Sequence, residues 1–450
     1  MCRRLACFRR VSGTALLAAS ILPLTCGNAL AGGFELRTQG ASGAGTATAG
    51  AAAIGEDATM VFYNPAAMTL LDESQVAFAG QLYIPDLDYD NRAATDATGG
   101  AVIGSDRLLN EPAVVPSLFG VWNVSDRVRL GFGLTSPFGL ATEYDEDWVG
   151  KYNTYYTSLQ TLDFNPAVAV RVTDWLSAGA GASVQYARAD RRNMLDFGSI
   201  CFNSGLGGGT CTALGLLPQA ADGRLELTAD DWSVGYNVGI LLQPTSNFRV
   251  GLAYRSRVHQ RLDGTADFTV PGIAEPLTAG GAFQDTAASA EITLPERASL
   301  SLYYEATPRL ALLGDVTWTA WSRFEALRVD FDNPAQPSIS EPEEWDDSFR
   351  YSIGARYQVT DEWVARVGLA YDETPIDSDL RNPGIPGNDR LVFALGAGYR
   401  LSDAVNIDFA YTYNRELEAS IDLSRSDSGT IEGDYNNSTH LLTAQAVWRF

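Results

Sequence analysis

Along most of the chain, hydrophobic residues recur at every second position, not every third or fourth. In "RVRLGFGLT", Val128, Leu130, Phe132 and Leu134 share one face of an extended chain, and Arg127, Arg129, Gly131, Gly133 and Thr135 share the other. In "VNIDFAYTYN", Val405, Ile407, Phe409, Tyr411 and Tyr413 oppose Asn406, Asp408, Ala410, Thr412 and Asn414. The last run, "LLTAQAVWRF", puts Leu442, Ala444, Ala446, Trp448 and the terminal Phe450 on one side. Alternation alone also fits a soluble sandwich, so the connections between runs decide more.

Short turns fall at Ser125-Asp126, Thr173-Asp174, Thr245-Ser246-Asn247, Thr307-Pro308, Thr360-Asp361 and Ser402-Asp403. Long connections rich in Gly, Pro and Asp lie near 86–112, 139–157, 190–230, 262–288, 325–346, 374–388 and 418–437. Six short turns interleaved with seven long loops imply fourteen strands. Short turns at one end and long loops at the other are the organisation of an outer-membrane barrel, in which the sheet closes because hydrocarbon satisfies no open edge. The runs supply the about 9 to 11 residues a tilted strand needs to cross. Trp122, Trp175, Trp363, Tyr254, Tyr371 and Tyr399, near run ends, fit interfacial girdles. The expected fold is therefore an all-β, 14-stranded antiparallel transmembrane β-barrel over residues 74–450, with its first strand near Ser74 to Pro85.

The residues before that strand are of another kind. Met1 to Arg10 carries four arginines, Val11 to Leu24 is apolar, and Ala29-Leu30-Ala31 suits a signal peptidase, so residues 1–31 read as an export signal. A lipid anchor on Cys26 is the rival reading, disfavoured by Thr25 before it. Residues 32–73, dominated by Gly, Ala, Ser and Thr, suit a compact plug in the barrel lumen. That segment holds Glu56 and Asp57 and then Asn64-Pro65-Ala66, which also reads as a structural turn.

Composition narrows function. A net charge of -23 argues against nucleic acid as a partner. Removal of the leader leaves Cys201 and Cys211, ten apart in an exported, Gly-rich stretch, which read as a disulfide rather than a metal site. Asp86, Asp88 and Asp90 alternate on one face but lack the Gly and Glu of a calcium loop, so neither a metal nor any other cofactor is expected. His259 and His440 are the chain's histidines and no Gly-x-Ser-x-Gly elbow accompanies them, so an enzyme is not expected.

The mature start "GGFELRTQGASGAGTATAG", then "GEDATMVFYNPAAM", "TSPFGLATEYDEDWVGKYNTYYTSLQTLDFNPAVAVRV" and the terminal Phe450 resemble the FadL-type long-chain fatty acid transporters, a family that includes aromatic hydrocarbon importers. The resemblance implies an N-terminal hatch and passive uptake of hydrophobic molecules across the outer membrane of a Gram-negative bacterium. It also implies an outer groove, an inner pocket, and a sideways exit near an inward-kinked third strand. Gly131 and Gly133 with Pro137 beyond permit such a kink, and packing of the hatch against the glycines is the other reading. The partners expected are a fatty acid or hydrocarbon ligand, outer-membrane lipid and lipopolysaccharide, and the assembly machinery that recognises the aromatic terminus, with the protein acting as a monomer. An importer of aromatics or alkanes, and a general diffusion porin, are the alternatives.

Parity places Arg129, Arg171, Arg249, Arg356, Arg366 and Arg400 on the inner face, where Glu56 and Asp57 can pair with some of them. It also places Arg255, Arg257, Arg350 and Arg390 inward in the outer half, with Arg297 near mid-height. These five are the candidate anchors for a ligand carboxylate, since a guanidinium fork matches both oxygens and Lys151 is the sole lysine. Trp148, Tyr152, Tyr155 and Tyr156 are candidates to line the outer groove or to face lipid.

Overall fold

A computed structural model describes residues 33–450, so the expected leader lies outside the described residues. One antiparallel sheet closes on itself. Its strands are β1 (Gln75–Asp86), β2 (Ala113–Asn123), β3 (Val128–Thr135, resumed as Gly139–Glu143), β4 (Tyr156–Arg171), β5 (Leu176–Asp196), β6 (Asp222–Thr245) and β7 (Phe248–Arg255, resumed as Val258–Thr269). There follow β8 (Thr286–Leu294, then Arg297–Thr307), β9 (Leu310–Thr319, then Ala326–Phe331), β10 (Ile339–Pro342, then Ser348–Gln358), β11 (Trp363–Asp372), β12 (Arg390–Arg400), β13 (Val405–Glu416) and β14 (Ser438–Arg449). Among the described residues the sheet has nineteen segments, and five interruptions within strands leave fourteen strands, as the turn spacing implied. Closure pairs β1 with β14 from Gln75 opposite Arg449 to Asp86 opposite Ser438, which leaves no open edge facing hydrocarbon.

Each expected short turn joins two of these strands. The long connections hold wall strand at four places, within 139–157, 190–230, 262–288 and 325–346. β5 and β6 run for 21 and 24 residues, beyond the about 9 to 11 that cross a membrane. Much of the loop expected at 190–230 is therefore strand. Outside the bilayer both faces of a strand can be polar, so the alternation that reveals a strand is lost while its backbone pairing continues. The remaining tip holds two short helices, Phe197–Asn203 and Gly208–Ala213, joined by the Cys201–Cys211 disulfide. Gly139–Glu143, assigned to a loop by sequence, is likewise strand. A small sheet of Tyr89–Thr95, Gly429–Tyr435 and Ala419–Arg425 covers the long-loop end.

The wall has the expected register. Leu130, Phe409, Leu442, Trp448 and Phe450 are exposed on the outside, as are Trp122, Trp175 and Trp363 near strand ends. Residues 33–74 are almost wholly buried and contact inward-facing residues around the wall. A Cβ on Gly368 would stand 2.1 Å from the Thr46 carbonyl, and one on Gly251 equally close to the Ala52 carbonyl oxygen, so glycine permits this backbone-to-backbone seat. Gly131 and Gly133 serve the same end, with a Cβ on Gly131 meeting Met68 at 2.5 Å and Val61 at 2.7 Å.

Asn64 turns the segment. Its side chain accepts from the Ala66 amide to cap the short helix Pro65–Leu70 and donates to the carbonyls of Ala52, at 2.7 Å, and of Ile240 on β6. Asn64-Pro65-Ala66 is thus a structural corner. Five of the six parity-assigned arginines bind this segment. Arg129 donates to the Leu71 carbonyl, Arg171 to that of Thr69 and Arg249 to that of Ile54, and Arg366 forms an ion pair with Glu56. Arg356 adds a second guanidinium 3.2 Å from Glu56. Asp57 accepts from Ser42 and from Gln445 of β14, each at 2.7 Å, and so bonds a glutamine rather than an arginine. Arg400 shares the inward parity but stands exposed at the strand end, where the lumen meets water.

Candidate ligand site and side wall

The two long strands and the cap frame two neighbouring spaces. A groove of ≈ 760 Å³ between the disulfide-bearing tip and the cap is lined by Tyr152, Met194, Ile200, Phe268, Phe283 and Arg425 among others. Beneath it lies a cavity of ≈ 110 Å³ walled by Phe34, Leu140, Leu159, Leu262, Ile292 and Phe324, with Ile385 of the loop after β11 also on its lining. Arg191, Leu227 and Val329 line both spaces, so they form the partition.

Charge concentrates on that partition. Arg191 holds Glu341 with both terminal nitrogens, at 2.6 and 2.8 Å, and Arg425 binds the same carboxylate from the cap. Burial opposes ionisation of Glu341, yet Arg191 and Arg425 outweigh it and bring its pKa down to about 2. Glu343, two residues on in the extracellular break of β10, is pushed up to about 8 by burial and by the Glu341 charge. It receives hydrogen bonds from Asn382 at 2.6 Å and from the Trp345 indole at 3.1 Å.

A carboxyl that ionises near 4.5 when unfolded and near 8 when folded takes up a proton on folding throughout that interval. Stability of the cap therefore falls as pH rises from about 4.5 to about 8 and levels above. Thermal midpoints of the parent should decline across this range, and those of Glu343→Gln should decline less. Parallel curves for the two proteins would overturn the assignment.

The five sequence-derived anchors fare differently. Arg255 binds Asp163 at 3.1 Å and lies over the Phe62 ring, and Arg297 binds Glu35 and covers the same ring. Arg350 and Arg390 share Asp372, and Arg350 also donates to Thr48 of the lumenal segment. These four form a buried ionic layer next to the cavity floor, since Phe34 lines the cavity and Glu35 follows it. Arg257 is exposed on the outer face. β7 is interrupted after Arg255, and Ser256, whose hydroxyl receives the Tyr236 amide, adds a residue that reverses the parity.

Of the loop aromatics, Tyr152 lines the groove and bonds Asp222 through its hydroxyl at 3.0 Å. Trp148 is completely buried, stacked on Tyr144 at 3.8 Å, and Tyr155 is buried as well. Both belong to the core of the cap instead of the groove surface, because the cap needs its own apolar interior. Tyr156, partly exposed at the start of β4, carries the Arg192 guanidinium over its ring. Asp86, Asp88 and Asp90 project along one exposed face, and His259 and His440 bond Thr293 and Tyr411.

Arg191, Glu341, Arg425 and Phe34 were not singled out by sequence. Arg191 continues the inward parity of Gln185 and Ala187, a signal hidden by assigning residue 190 onward to a loop.

The wall is incomplete at one point. β2 pairs with β1 from Val121 to Ala113 but with β3 only from Asn123 to Leu118. β3 breaks at Ser136–Phe138, and its continuation Gly139–Glu143 pairs with β4 alone. Pro137 thus marks an interruption, as expected from its lack of an N–H. Residues 34–36 enter the opening. The Leu36 amide donates to the Pro137 carbonyl and the Gly139 amide to that of Phe34, both at 2.9 Å, so a short extended stretch replaces the missing strand.

A family model described as outer membrane protein transport protein (OMPP1/FadL/TodX) matches residues 23–450. The chain belongs to the FadL/TodX family of outer-membrane transport proteins. A long-chain fatty acid transport protein of Escherichia coli O6:H1 is 31% identical over 85% of this chain and 86% of its own. The crystal structure of a Pseudomonas aeruginosa FadL homologue superposes with a TM-score of 0.86 at 26% identity, covering 93% of this chain and all of the other. The Pseudomonas putida toluene transporter TodX shares the fold with a TM-score of 0.67 at 19% identity, covering 93% of this chain and 99% of its own. This FadL/TodX member resides in the outer membrane, and the Escherichia coli relative and TodX are named for transport.

Proposed function

We propose that the protein takes up long-chain fatty acids passively, from the outer groove to the apolar cavity and then sideways through the wall beside β3, with residues 32–73 as the hatch that closes the lumen. The arrangement of Arg191, Glu341 and Arg425 carries this reading. Two guanidiniums face one carboxylate on the partition between groove and cavity, with Asp427 on the groove rim beside them. When a ligand carboxylate arrives, Arg425 can keep Glu341 while Arg191 turns to the newcomer, so no charge is left buried alone. The cavity walls suit an alkyl tail, and the Ser158 hydroxyl on the lining, buried and without a hydrogen-bond partner among the described residues, suits a polar end. The identity to a named fatty acid transporter supports the same ligand class.

Oleate and its methyl ester separate the ligand classes, because they differ in charge and share the tail. Arg191→Gln and Arg425→Gln should each weaken oleate binding by roughly 1.5 to 3 kcal/mol, the range for hydrogen bonds to charged groups, and spare the ester. Equal binding of oleate by the parent and both variants would move the ligand to the neutral hydrocarbons.

A further inference from the structure

The opening between β2 and β3 is spanned by one side chain from inside. Gln39, fully buried, donates through Nε2 to the Ser136 carbonyl of the β3 break at 3.0 Å and to the Leu36 carbonyl at 2.8 Å. Its Oε1 accepts from the Ser117 hydroxyl of β2 at 3.1 Å. Ser117 lies one residue past the last β2–β3 backbone pair, Leu118 opposite Leu134, so the amide bridges the two strands where the ladder stops. Behind it the chain of contacts continues through Gln81 to Tyr83 on β1. The Gln39 amide N–H is fixed by the Tyr63 hydroxyl at 3.0 Å, which ties the bridge to the interior segment.

Elsewhere in the wall, neighbouring strands are joined by repeated backbone hydrogen bonds. Beyond Leu118 and Leu134, where the backbone ladder of β2 and β3 stops, the bridge between them is one side-chain amide, with Nε2 on the Ser136 carbonyl and Oε1 on Ser117. From this geometry we infer that Gln39 is the latch of the side opening and that release of its side-chain amide widens the gap between Ser117 and Ser136, beyond the end of the β2–β3 ladder. The latch rests on the uptake route proposed above. Gln39 acts through Ser117 and Ser136 and touches no cavity lining, so it is a positioning residue.

The test reads opening directly. Ser136→Cys leaves the latch intact, because Ser136 contributes only its carbonyl, and places a thiol at a site that is buried while the wall is shut. In liposomes, a membrane-soluble maleimide should label this cysteine about tenfold faster when Gln39→Leu is added, a ratio equivalent to about 1.4 kcal/mol. Ser117→Ala, which removes only the β2 side of the bridge, should give a smaller increase, and it carries the test if Gln39→Leu does not assemble. Oleate uptake by the same variants should rise in maximal rate with an unchanged half-saturating concentration. Equal labelling rates in the parent and both variants would refute the latch. Faster labelling with no import of oleate by the parent or any variant would uphold the latch and refute the uptake reading instead.

Discussion

Deletion of residues 32–55 should leave a barrel that folds but leaks. Neighbouring strands are joined by their own ladders, and closure runs through β1 and β14, so the interior segment is not needed to satisfy most of the wall's backbone groups. What the deletion removes is filling. Helix Ala41–Ala44 and the tight turns up to Ile54 occupy the lumen against β8 and β10–β14, and no other described segment replaces them. Cells carrying the deletion, at equal surface expression, should become sensitive to large hydrophilic antibiotics, and planar bilayers should show large steady currents. Unchanged resistance with closed traces would mean that the cap, and not the hatch, is the seal.

The next largest effect is expected at Arg366. Its guanidinium lies between Glu56 of the hatch and Asp408 of β13, at 2.8 Å from the latter, and its side chain is 2% exposed. Substitution by Leu leaves Glu56 with Arg356 alone and Asp408 with no ion-pair partner among the described residues, and breaking a buried pair this way costs about 3 to 5 kcal/mol. The loss falls on docking of the hatch more than on the wall. Arg366→Leu should therefore lower the denaturant midpoint and raise conductance together, and Glu56→Gln with Arg366→Leu should recover part of both. A variant as stable and as closed as the parent would show that Arg356 suffices.

The architecture was legible because period two and turn spacing are set by the bilayer itself, which demands alternation within each strand and a paired edge for each one. Leu130, Leu442 and Trp448 show the outward face, and Arg249 and Arg366 the inward one. Legibility ended where that demand ends. Beyond the membrane β5 and β6 keep pairing with polar residues on both faces, so Arg191 was read as loop. At Ser256 one added residue reversed the parity of Arg257. Gln39 carried no signal at all, because its role depends on where β2 and β3 stop pairing, a property of neither segment alone.

On the route proposed above, the incomplete wall also sets the thermodynamics of uptake. A ligand leaving between β2 and β3 passes from an apolar cavity into hydrocarbon, and its tail never meets the periplasm. Each methylene exposed to water costs about 0.8 kcal/mol, so a chain of about sixteen released through the bottom of a conventional pore would face a barrier on the order of 13 kcal/mol. Sideways release removes that term. The membrane then acts as the sink, partition of the tail supplies the direction, and the net flux is set by how fast the ligand is drawn from the bilayer on the other side.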